Sequence, residues 1–154
     1  MRSPIRKSLL VAGSFLVAMG QAGVVSAHDL SESFTTGLTR AVDFYQVTCF
    51  NDGSGLPDHL IFGVKDLTAN TAKVSVLVQK GTNCSSPRCA KSITDNDDTD
   101  DQYSPSVRVK QGGGVYNLFV SHTAAGMDSY DVQYHCETST GVHTGTNISA
   151  KQQM

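Results

Sequence analysis

Two stretches of this chain alternate apolar and polar residues and end on a cysteine. In Tyr45-Gln46-Val47-Thr48-Cys49 every second residue is apolar, and Tyr130-Asp131-Val132-Gln133-Tyr134-His135-Cys136 repeats the pattern. A period of two puts the apolar residues on one face of a β-strand. Both cysteines then close faces that point into a core, so a Cys49–Cys136 bridge would tie an early strand to a late one. A closed loop of that length stabilises by about 2–4 kcal/mol.

Further short runs follow the same rule. Leu60, Phe62 and Val64 share a face, as do Val74, Val76 and Val78, then Val107 and Val109, then Tyr116, Leu118 and Val120. Turn signals separate them: Asn51-Asp52-Gly53-Ser54-Gly55, Gln111-Gly112-Gly113-Gly114 and Ala124-Ala125-Gly126. No window carries helical periodicity. The pattern predicts an all-β fold, an antiparallel β-sandwich of jelly-roll or immunoglobulin-like type with seven or eight short strands, stapled by disulfides. With 154 residues there is room for one such domain. Residues 43–137 read as the sandwich, 28–42 as an arm or edge strand, and 138–154 as a polar tail with room for one more edge strand.

The first 27 residues read as a secretory signal peptide. Arg2, Arg6 and Lys7 precede an apolar run from Leu9, and Val25-Ser26-Ala27 offers a small-x-small cleavage site. The run is short for a membrane span. The expected product is a periplasmic or extracellular protein of bacterial type, not inserted in a membrane. Processing would leave nine basic side chains against fourteen acidic ones, a formal −5. That balance argues against a nucleic-acid partner and leaves an unknown protein or cell-surface ligand.

Four cysteines permit three pairings. Beside Cys49–Cys136, Cys84 and Cys89 fall in one turn-rich stretch and read as a local staple. Neither the spacing of a zinc knuckle nor a Cys-x-x-Cys redox pair is present.

The motifs Asp43-Phe44-Tyr45-Gln46-Val47, Gly114-Val115-Tyr116-Asn117-Leu118-Phe119-Val120 and Ser129-Tyr130-Asp131-Val132 resemble those of bacterial pre-peptidase C-terminal domains. The resemblance covers roughly Asp43 to Tyr134. It implies a secreted, non-catalytic β-sandwich, calcium-binding in some members. The chain departs from that family in carrying four cysteines and no protease.

Two segments carry candidate chemistry. Cleavage after Ala27 would make His28 the N-terminal residue, and an α-amine beside an imidazole is a chelating pair suited to Cu(II). His59 and His135 fall on outward strand faces and are the candidate further ligands, with Asp29 beside His28. His122 and His143 complete the histidines. The second candidate is the run Asp95, Asp97, Asp98, Asp100 and Asp101, hard oxygen donors suited to Ca²⁺, against which stands a solvated acidic loop. No nucleophile elbow, zinc-protease helix or phosphate-binding glycine loop occurs. The expected function is an exported, non-catalytic binding or accessory module, with copper binding through His28 as its candidate chemistry. The alternatives are a structural subunit of a surface layer or filament, and an oxidative copper enzyme.

Overall fold

The computed structural model describes residues 28–81, 88–97 and 100–154. The expected signal peptide therefore lies outside the described residues. Among the described residues the chain is all-β, with nine antiparallel strands: β1 (His28–Ser33), β2 (Val42–Phe50), β3 (His59–Asp66), β4 (Val74–Lys80), β5 (Ala90–Thr94), β6 (Val107–Val109), β7 (Gly114–His122), β8 (Ser129–Glu137) and β9 (His143–Gln152). Their order is β5-β4-β7-β2-β9-β8-β3-β6, with β1 on β8.

The strands form two layers. One holds β1, β8, β3 and β6, and the other holds β5, β4, β7 and β2. The layers share β9. Its start pairs with β8, His143 opposite Glu137 and Thr144 opposite Cys136. From Gly145 onward it pairs with β2 instead. The sandwich is thus nearly a barrel. Gly145 stands at the changeover, where a Cβ would run into the Phe50 ring. The glycine is what lets β9 lie close against β2 there.

Period-two alternation explains the core. Tyr45, Val47 and Cys49 of β2 meet Tyr130, Val132 and Cys136 of β8 in one buried cluster with the apolar faces of β3, β4 and β7. Each fully buried valine or leucine stabilises by about 1.5–3 kcal/mol. Three tyrosine and aspartate groups are buried with these side chains and are mutually satisfied. The Tyr130 hydroxyl donates to Asp43 Oδ2 at 2.5 Å and lies 2.9 Å from the Tyr45 hydroxyl. Asp43 Oδ1 accepts from the Met154 backbone N–H at 2.6 Å.

Cys49 and Cys136 form a disulfide across 87 residues, joining the two layers. Cys89 is also disulfide-bonded. Its expected partner Cys84 lies outside the described residues.

The chain from 138 onward differs from the polar tail read in the sequence. Most of it is β9, an interior strand between β2 and β8 rather than an edge. Only Thr144 and Gly145 of β9 are buried. Its place rests on main-chain pairing with β2, which leaves little apolar trace in the sequence.

Candidate metal centre

The outward face of the β1-β8-β3-β6 layer is polar where the inward face is apolar. On β8 the outward residues are Asp131, Gln133, His135 and Glu137. The β8–β9 turn, residues 138–142, brings His143 directly opposite Glu137. On the other flank of β8, His59 is opposite Glu137. Three strands thus deliver three histidines to one carboxylate.

His135, Glu137 and His143 each offer a ligand atom, and the three atoms lie within 4.8 Å of one another. Glu137 Oε1 is 3.0 Å from His135 Nε2 and 3.7 Å from His143 Nε2. Ligand atoms held about 2.0–2.2 Å from a metal ion are separated from one another by roughly 3–3.5 Å. The Glu137–His135 separation falls in that range and the Glu137–His143 separation just outside it. The His135 and His143 rings stack with centroids 4.2 Å apart. His135 Nδ1 is buried and has no hydrogen-bond partner.

Electrostatics favour the ligand forms. Burial, and next to it the nearby His143, lowers the His135 pKa against the pull of Glu137. Burial alone would raise the Glu137 carboxyl, but hydrogen bonds from His59 and His135 outweigh it and hold it below its ordinary value. A neutral imidazole beside an ionised carboxylate is what metal ligation requires.

The structure rearranges the ligand set read from the sequence. His135 is in the cluster. His59 is buried and both its ring nitrogens face carboxylates, Nδ1 at 2.9 Å from Asp58 Oδ2 and Nε2 at 2.9 Å from Glu137 Oε2. It holds the second oxygen of Glu137 and so orients the carboxylate. His28 pairs with Tyr134, one position from His135, and its ring stacks on Tyr134 at 5.9 Å. It is close enough to His135 to add a small electrostatic repulsion. Asp29 takes a hydroxyl hydrogen bond from Tyr103 at 3.4 Å and does not join the cluster. Glu137 and His143 are the additions. The cue was available: His135 and Glu137 are two apart on one strand, and a short turn returns the chain to His143.

In the acidic run, Asp95, Asp100 and Asp101 take separate partners. Asp95 is buried, its Oδ2 accepting from Asp66 N–H and its Oδ1 from Asp97 N–H. Asp100 caps the Gln102 N–H, and Asp101 pairs with Lys65 at 2.9 Å. Asp98 lies outside the described residues. Among the described residues, no three of these carboxylates converge as His135, Glu137 and His143 do. The inward His122 is also accounted for: it is buried with Asp128 and serves the core.

No family model matches the chain, and no curated protein matches it.

Proposed function

We propose that this is an exported, non-catalytic binding module of the periplasm or cell exterior that holds one Cu(II) ion. Its ligands are His135 Nε2, Glu137 Oε1 and His143 Nε2, with the N-terminal amine of processed His28 as the neighbouring fourth donor. The observation that carries this reading is the convergence of two imidazoles on one carboxylate oxygen. Two nitrogens and a carboxylate oxygen suit Cu(II), and a free α-amine would complete a tetragonal set. A carrier or scavenger role is supported by His135 and His143, which stand partly open to solvent around the buried Glu137. The non-catalytic role implied by the pre-peptidase resemblance agrees with it.

Cu(II) titration followed by electron paramagnetic resonance tests the reading, on protein beginning at His28. One tight equivalent with nitrogen hyperfine structure is expected, lost in Glu137→Gln. A control with one extra N-terminal residue isolates the amine, and binding should weaken while the equivalent persists. Copper binding indifferent to Glu137→Gln would overturn the site. Ascorbate-driven peroxide production by the copper-loaded protein would instead favour an oxidative enzyme.

A further inference from the structure

The chain of paired strands ends at β5 on one side and at β6 on the other. These are the strands that would have to pair for the barrel to close. They approach without forming a ladder, and a cleft of about 360 Å³ opens beside them. Among the described residues its lining is Arg88, Lys91, Arg108 and Lys110. Lys91 belongs to β5, Arg108 to β6, and Lys110 directly follows β6. The processed chain would have nine basic side chains against fourteen acidic ones, and four of those nine meet here.

Charged residues on open strand edges often serve to prevent edge-to-edge pairing. Four exposed cations bordering a single concavity also repel one another, a cost that edge protection alone does not call for. Elsewhere on the same layer Lys65 lies between two carboxylates, Asp101 at 2.9 Å and Asp131 at 3.2 Å. Among the described residues Lys91, Arg108 and Lys110 have no such partner. A cleft of one charge sign focuses counter-ions, and arginine offers paired donors to phosphate or sulfate oxygens.

We infer that the seam between β5 and β6 is a binding site for a multivalent oxyanion, a small ligand carrying closely spaced phosphate or sulfate groups. The site is separate from the His135–Glu137–His143 cluster and does not depend on metal.

Calorimetry on metal-free protein at low salt tests it, with inorganic pyrophosphate and a fully sulfated disaccharide as the two probes. Saturable binding of at least one is expected, weakening as salt rises. Lys91→Glu with Arg108→Glu should weaken it by at least roughly tenfold, since each lost charge-assisted contact is worth about that factor. Arg40→Glu with Lys151→Glu removes as much positive charge at other exposed positions and should leave binding within about twofold. Pyrophosphate binding alone assigns a phosphate ligand, and disaccharide binding alone assigns a sulfated glycan. No saturable binding of either probe overturns the site, as does equal weakening by both double variants. If the cleft variant melts early by circular dichroism, single Lys110→Gln repeats the measurement with a smaller expected loss.

Discussion

Two histidine–carboxylate groups stand out among the described residues, and they are built to opposite rules. His122 is buried at the end of β7 with Nδ1 2.6 Å from Asp128 Oδ2 and Nε2 2.5 Å from the Leu38 carbonyl. Asn70 donates to the other Asp128 oxygen at 2.5 Å, and the Phe34 ring stacks on the imidazole at 4.5 Å. Each of these polar atoms has its partner. At the other group, His59, His135 and His143 compete for Glu137, two imidazoles stack face to face, and His135 Nδ1 has none. Complete satisfaction is how a fold uses a buried polar pair for stability. Three imidazoles sharing one carboxylate leave donors that a cation could draw together.

The comparison can be broken most sharply at His122. His122→Ala should cost about 3–5 kcal/mol in denaturant unfolding, because Asp128 is left buried without its partner. A loss below about 1 kcal/mol would mean that the pair is not structural. The next effect is at Glu137. Glu137→Gln should abolish the copper equivalent but cost only about 1–2 kcal/mol of metal-free stability, the value of its hydrogen bonds. A larger loss would make the cluster a second structural pair. His59→Ala should keep the equivalent and weaken it by roughly 10–100-fold, as expected for a residue that orients a ligand. Smallest is His143→Gln, within about 0.5 kcal/mol in metal-free unfolding, since its side chain is the most open of the three.

The core makes a prediction of its own at high pH. Burial raises the pKa of Tyr130, reinforced by its bonds to Asp43 and Tyr45, and burial pushes Tyr116 up to about 12. In the unfolded chain these phenols ionise near 10. The folded state therefore holds protons that the unfolded state releases, and stability falls as pH rises above about 10. Phenolate absorbance and circular dichroism should change together in alkaline titration. Ionisation of the phenols well before the fold is lost would contradict that coupling.

The strands visible in the sequence were those that bury one whole face. β2, β3, β4, β7 and β8 were legible because Tyr45, Phe62, Val76, Leu118 and Val132 recur with their neighbours at period two. β9 was legible only as room for one more edge strand, since its residues are held by backbone pairing and most of its side chains are exposed. That gap hid the site as well. His135 could be placed outward by parity, but Glu137 and His143 become partners only when 143–152 is a strand folded back on β8. His59 was placed on the correct face, yet its attachment to Glu137 depends on the β3–β8 register, which alternation alone does not fix.

The disulfide has a meaning for the metal cluster beyond fastening two layers. Cys136 stands between His135 and Glu137, so the inter-layer bond is anchored on the one residue separating two of the proposed ligands. Its backbone N–H is tied to Thr146 of the strand that carries His143. Oxidation of Cys49 and Cys136 therefore pins the coordinating segment itself. A copy retained among cytosolic thiols would lack that pin and hold its donors loosely, whereas an exported copy would acquire it with oxidation. On the proposed reading of an exported metal-binding module, thiol oxidation would then double as a compartment check on when the chain is ready to take metal.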